Sequence, residues 1–178
     1  MSTMNEQLQA RAAGIQLLVL DVDGVLTDGK LYFGRDGEEL KTFNTLDGHG
    51  IKLLAASGVK VAIITGRESE LVARRAANLG ITRIKQGRED KFAALQELLS
   101  QEPYPLSAIA CMGDDYPDLT IMQRVGLALA PPNACAEVLS RAHWVSTRAG
   151  GEGAVREACD LIMRAQGTYH SALAPYLA

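Results

Sequence analysis

Short apolar runs alternate with longer amphipathic stretches from residue 15 almost to the end of the chain. The runs at 17–20, 59–65, 81–86, 108–112, 127–130 and 143–146 predict strands. The second of them, VKVAIIT, is rich in β-branched residues that suit a pleated surface. Residues 48–57, 68–79, 91–99, 119–125, 134–142 and 153–166 predict the intervening helices. Gly58 and Gly80 each stand between a helix and a strand, where a left-handed C-cap is expected. Continuous apolar strands alternating with helices imply an α/β fold: a Rossmann-like parallel sheet with helices on both faces.

One segment breaks this rhythm. Residues 30–33 and 38–43 read as strands around Gly34-Arg35-Asp36-Gly37, and Asp-Gly between two strands marks a hairpin. A β-hairpin flap over residues 29–43 is therefore expected directly after the first strand and its loop. Leu31, Phe33, Leu40 and Phe43 give that flap apolar side chains but little core of its own. The last stretch, 167–178, carries no charged side chain and holds Tyr169, Leu173, Tyr176 and Leu177 with no evident partner. It reads either as a frayed terminus or as a segment that closes over a neighbouring site.

Composition narrows the function. At 178 residues the chain is expected to form one domain spanning 1–178. Apolar residues at 47% and charged residues at 22% exclude a disordered or fibrous chain. A net charge of −3 with 5% aromatics offers neither a basic stripe nor a stacking platform, which counts against nucleic acid. No apolar run approaches the roughly 20 residues that span a bilayer, and residues 1–14 read as polar, without a secretory leader. Cys111, Cys135 and Cys159 are an odd set without a close pair. They read as buried thiols of a cytoplasmic protein. His49, His143 and His170 have no zinc-ligand spacing.

Four predicted strand ends carry candidate chemistry. The first strand runs into Asp21-Val22-Asp23-Gly24-Val25-Leu26-Thr27-Asp28. Strand alternation sends Asp21 and Asp23 to one side. Two close carboxylates repel unless a hard cation or a proton relieves them, which fits a metal ligand beside a general acid. A solvated loop with an N-cap explains the same residues structurally. Met112-Gly113-Asp114-Asp115 and Asp118 follow another apolar run. Asp114 there suits a magnesium ion, and Asp118 suits a helix cap. Thr65-Gly66-Arg67 offers a hydroxyl and backbone N–H groups to an anion. Lys91 in a first helical turn opposes the helix dipole and so points to a negative partner. An ordinary N-cap at Thr65 and an exposed charge at Lys91 are the alternatives.

Taken in chain order, Asp-x-Asp, Thr, Lys and Gly-Asp-Asp resemble the four motifs of the haloacid dehalogenase superfamily of phosphotransferases. Residues 43–51 (FNTLDGHGI), 150–157 (GGEGAVRE) and 165–167 (AQG) are similar to the 3-deoxy-D-manno-octulosonate 8-phosphate phosphatases within it. That resemblance covers roughly residues 17–167. It implies homotetramers whose hairpins form a central barrel, with active sites at subunit boundaries. It also implies release of phosphate from an eight-carbon sugar acid destined for lipopolysaccharide.

Carried onto this chain, the resemblance makes Asp21 the nucleophile, Asp23 the general acid and base, and Thr65 and Lys91 the binders of the phosphoryl oxygens. Magnesium would be held by Asp21, Asp114 and the Asp23 carbonyl. Asp23, Asn44, Thr45, Leu46, Asp47, Gly48, Lys52, Arg67, Arg75, Lys91 and Asp115 would contact the substrate. At 100° per residue Arg75 falls on the apolar arc of its helix, with Leu71, Val72, Ala76 and Leu79. A guanidinium there must snorkel or find an anion. Lys52, Arg67 and Arg75 are expected to form one electropositive mouth suited to a small sugar-acid phosphate. A nine-carbon sialic-type sugar-acid 9-phosphate is the alternative substrate. A phospho-receiver module is a remote alternative, because its acceptor Asp follows a middle strand and lacks an acid two residues later.

Overall fold

The structure, a computed structural model, describes residues 6–35 and 39–177. In chain order the elements are α1 (Glu6–Ala13), β1 (Leu17–Leu20), β2 (Tyr32–Phe33), β3 (Glu39–Leu40), α2 (Thr45–Ala56), β4 (Lys60–Ile64) and α3 (Glu70–Leu79). Then follow β5 (Arg83–Lys85), α4 (Lys91–Gln101), β6 (Ile109–Met112), α5 (Tyr116–Met122), β7 (Leu127–Ala130), α6 (Ala136–Leu139), β8 (Trp144–Val145), α7 (Ala154–Ala165) and α8 (Tyr169–Leu173). Six strands form one parallel sheet in the order β5-β4-β1-β6-β7-β8. β2 and β3 form a separate antiparallel ribbon.

The alternation of side chains along β1 divides the core. Leu18 and Leu20 pack on one face with α1, α2, α3 and α7, while Leu17 and Val19 pack on the other with α4, α5 and α6. Both faces of the central strands are thus buried, as their unbroken apolar runs require. Gly80 takes the left-handed conformation as the C-cap of α3, at φ 73°, and Gly58, at φ 107°, follows the C-cap of α2.

The expected α/β architecture is present, with corrections at the periphery. Residues 6–13, read as merely polar, form α1, which places only Ala12 in the core. α2 begins at Thr45 instead of 48, because the Asn44 side chain accepts the Leu46 N–H and caps it. α5 begins at Tyr116 instead of 119, capped by Asp115 with Pro117 in its first turn. The outer strands β5 and β8 are shorter than their apolar runs, since an edge strand has one pairing neighbour. The hairpin is present, but its Asp36-Gly37 turn lies outside the described residues.

The tail is not frayed. Residues 169–173 are helical and 174–176 form a 3₁₀ turn. Tyr169 and Ala172 pack on the core of their own chain, and the Arg164 guanidinium lies 3.6 Å from the Tyr169 ring centroid. Tyr176 meets His49 of α2 edge-on, at 5.4 Å between ring centroids, yet Tyr176 and Leu177 stay exposed. The cysteines are free, and two of the three, Cys111 and Cys159, are buried. Cys135 is half-buried instead.

Candidate active site

Parallel register brings the carboxyl ends of β1, β4 and β6 to one edge. Leu20 pairs with Ile63 and Met112, so Asp21, Thr65 and Asp114 leave the sheet side by side. They line a cleft of about 530 Å³ together with Asp23, Arg67, Lys91, Asp115 and Asp118. This is the place where open α/β sheets bind ligands.

The loop after β1 is held by its own residues. The Val22 carbonyl accepts from the N–H groups of Val25, Leu26 and Thr27. The buried Thr27 hydroxyl donates to Val22 O and accepts from the N–H groups of Gly24 and Gly29. Gly24 has φ 88°, and a Cβ there would overlap the Asp114 carboxylate. The two acidic loops therefore touch through a residue that needs to be glycine. Asn133, in the loop after β7, donates to Gly24 O at 2.9 Å and accepts from Gly150 N at 2.7 Å.

Lys91 has found its negative partners. Its ammonium lies 2.9 Å from Asp21 Oδ1 and 2.6 Å from Asp118 Oδ1, with all three side chains buried. Burial works to lower the Lys91 pKa, but Asp21 and Asp118 outweigh it and hold the ammonium charged well above its ordinary range. Asp118 also serves the capping role expected of it. Its Oδ2 accepts from the N–H groups of Asp114 and Asp115 in a capping box at the start of α5.

Burial and the neighbouring Asp118 raise the Asp21 carboxyl to about 6, against the pull of Lys91. Burial, Asp21 and Asp118 raise Asp114 to about 8. Oxygens of Asp21, Asp114 and Asp118 lie within 4.8 Å of one another. Crowded carboxylates that resist ionising fit a hard divalent cation with oxygen ligands. Both Asp118 oxygens already accept from Lys91 or the backbone, so Asp21 and Asp114 are the ligands this geometry favours.

Several residues expected on the substrate lie elsewhere in the protomer. Asp47 is buried, and its carboxylate accepts the Arg156 N–H at the start of α7. It caps that helix from α2, because the N-cap Gly153 has no side chain to do so. Asn44 caps α2 and donates to Gly151 O. Leu46 faces another groove, beside Arg148 and Arg156. Thr45, Gly48, Lys52 and Arg75 line a separate cleft of about 200 Å³. The single mouth expected from Lys52, Arg67 and Arg75 is thus divided between two clefts. Arg75 has partners within the chain: its guanidinium donates to Asn44 O at 3.1 Å and lies 5.7 Å from the Phe43 ring centroid.

Two residues at the site escaped the sequence. Lys41, just after β3, reaches Asp23 with its ammonium, and Asn133 braces Gly24. Asn133 follows a strand end, as the motif residues do, which was a usable clue. Nothing in the pattern of the hairpin marked Lys41.

Carboxylate, hydroxyl and cationic side chains on four strand-end loops define the class, and a model of haloacid dehalogenase-like hydrolases matches residues 84–157. Within that class the chain belongs to the 3-deoxy-D-manno-octulosonate 8-phosphate phosphatase family. It is 49% identical over 158 residues to KdsC of that name from Escherichia coli strain K12, covering 89% of this chain and 84% of the relative. The crystal structure of the Yersinia pestis phosphatase is 47% identical, with a TM-score of 0.91, over 93% of this chain and 90% of that one. The Moraxella catarrhalis phosphatase, solved with magnesium ion, phosphate ion and KDO, is 40% identical, with a TM-score of 0.95, over 97% of this chain and 99% of that one.

Proposed function

We infer that this chain is a magnesium-dependent phosphatase that converts 3-deoxy-D-manno-octulosonate 8-phosphate to the free sugar acid and phosphate. The observation that carries the reading is the meeting of Asp21, Asp23, Thr65, Lys91 and Asp114 on one cleft in a member of this family. The relatives named above are all named for the eight-carbon acid, which favours it over the nine-carbon alternative. A receiver module is disfavoured, because Asp21 follows β1 and has Asp23 beside it.

Each residue has a role its surroundings support. Asp21 attacks phosphorus and forms an aspartyl phosphate, while Lys91 favours its ionised form. Asp23 gives a proton to the departing sugar oxygen and later takes one from the water that cleaves the acyl phosphate. Thr65 and Lys91 bind the phosphoryl oxygens as charge shifts between them. Asp21, Asp114 and the main-chain carbonyl of Asp23 would hold magnesium, which would supply positive charge to those oxygens.

The cleft holding Lys52 and Arg75 has a place in this reading if chains assemble. We assign the exposed Leu31, Phe33 and Leu40 of the hairpin to contacts between subunits of a homotetramer. The second cleft then faces a neighbour's acidic site. The free cysteines support a reducing compartment, the cytoplasm, and no helix among the described residues is long and apolar enough to cross a membrane.

Phosphate release with and without magnesium, from eight-carbon and nine-carbon sugar-acid phosphates, tests the reading. We expect magnesium-dependent release with higher kcat/KM on the eight-carbon substrate, and the reverse preference would overturn the assignment. Sedimentation should give a species near four times 19.1 kDa, and a fully active monomer would refute the shared site.

A further inference from the structure

The described part of the hairpin has little support of its own. It is a two-residue pairing of β2 with β3, and Leu31, Phe33 and Leu40 stand exposed on it. Yet the next side chain, Lys41, is only 2% exposed. Its ammonium lies 2.5 Å from Asp23 Oδ1, across the cleft edge from the first catalytic loop. A second tie joins the same two segments, where the Tyr32 hydroxyl donates to Asp28 Oδ2 at 2.9 Å.

An ammonium is not buried without a strong reason, because leaving water is costly unless a carboxylate receives it. Here the carboxylate is one that the phosphatase reading uses in the reaction. An aspartate has freedom about two torsions, and a half-exposed one samples several orientations. A charge-assisted hydrogen bond to Oδ1 removes that freedom. It leaves Oδ2 on the side of Arg67, whose Nε is 4.0 Å away and which lines the cleft.

We propose that Lys41 is a positioning residue for the reaction: it fixes the Asp23 carboxyl so that Oδ2 faces the leaving-group oxygen of the substrate. The inference rests on the phosphatase reading above and deepens it. The proton on Asp23 Oδ2 passes to the sugar oxygen as the bond from that oxygen to phosphorus breaks and the bond from Asp21 to phosphorus forms. Asp23 is left a carboxylate, still held at Oδ1. Misplacement by about 1 Å is enough to cost a proton transfer of this kind about a hundredfold. Because Lys41 belongs to the hairpin and not to the sheet, the hairpin's placement becomes a condition for acid catalysis.

The test separates this role from a structural one by the leaving group. A sugar alkoxide needs the proton, whereas p-nitrophenolate departs without it. In magnesium-loaded protein, kcat/KM reports the steps through phosphorylation of Asp21. For Lys41→Met we expect kcat/KM to fall about a hundredfold on the sugar-acid phosphate and less than about threefold on p-nitrophenyl phosphate. Lys41→Arg should recover at least about tenfold of the loss on the sugar substrate. If Lys41→Met does not fold, Lys41→Gln carries the same comparison. Equal losses on both substrates, or no loss on either, would overturn the proposal. Asp23→Asn, measured alongside, separates the two failures. If it discriminates between the substrates and the Lys41 variants do not, only the positioning role falls. If Asp23→Asn does not discriminate, the acid assignment falls and takes the positioning role with it.

Discussion

Lys91 at the start of α4 and Asp118 in the first turn of α5 form a buried ion pair, 2.6 Å apart, between residues 27 positions distant in the chain. The pair orders the site before any substrate arrives. It holds the lysine beside Asp21, and the same aspartate closes the capping box that carries Asp114 and Asp115. Removing Asp118 leaves a buried ammonium with one partner fewer, and breaking a buried pair costs about 3–5 kcal/mol. Removing the N-cap Asp115 costs about 1 kcal/mol. Urea unfolding of Asp118→Ala and Asp115→Ala should show that difference. Equal losses would mean that Asp118 acts as a cap alone.

Asp21 and Asp23 sit on one loop with different neighbours, and their variants should behave differently. Asp21→Asn is expected to abolish phosphate release, with no acyl phosphate trapped in acid. Asp23→Asn should keep magnesium binding, because the metal would use its main-chain carbonyl. It should lose roughly 10²–10⁴ in rate on the sugar-acid phosphate, the usual loss for a missing general acid. Near-native turnover by Asp21→Asn would show that the nucleophile lies elsewhere.

Gly24 is the contact point between the two acidic loops. A methyl group there meets the Asp114 carboxylate, and φ 88° disfavours any side chain. Gly24→Ala should therefore weaken magnesium binding, measured by calorimetry, by at least about tenfold, as loss of a ligand's support does. Unchanged affinity would place the metal away from Asp114.

Without metal, Asp21 and Asp114 keep their protons to about 6 and about 8, against an ordinary value of 3.8. Between 3.8 and those values the folded state binds more protons than the unfolded one. Stability from these groups is thus fully present below pH 3.8 and lost as pH rises through 6 and then 8. Buried Asp47 acts in the same direction. Thermal unfolding in chelator should show Tm falling across this window, and Asp114→Asn should flatten the upper part of the fall. Magnesium should raise Tm more at pH 8 than at pH 6, because it competes with fewer protons there. A flat or rising Tm from pH 6 to pH 8 in chelator would contradict the crowding of these carboxylates.

The fold was largely legible because its central strands are apolar on both faces, a pattern few other arrangements satisfy. α1 was not, since EQLQARAA puts one alanine in the core and its stability comes from packing on α7. The candidate site residues were legible for a related reason. Asp21, Thr65 and Asp114 follow apolar strands and Lys91 opens α4, so each is marked by its local position. The contacts of the α2 residues within the protomer were not legible, because Asp47 caps a helix distant in the chain and no local pattern announces that partner.

By itself the sequence determined the parallel sheet, the hairpin after β1 and the residue types at the strand ends. These follow from periodicity and turn chemistry, which act over a few neighbouring residues. Only the tertiary structure decided which oxygen pairs with which cation. It set Lys91 between Asp21 and Asp118, Lys41 on Asp23, and Arg75 on Asn44 instead of in the acidic cleft. The reason is that a buried charge takes the partner that strand order and loop packing bring within about 3 Å, and neither is written in the local pattern.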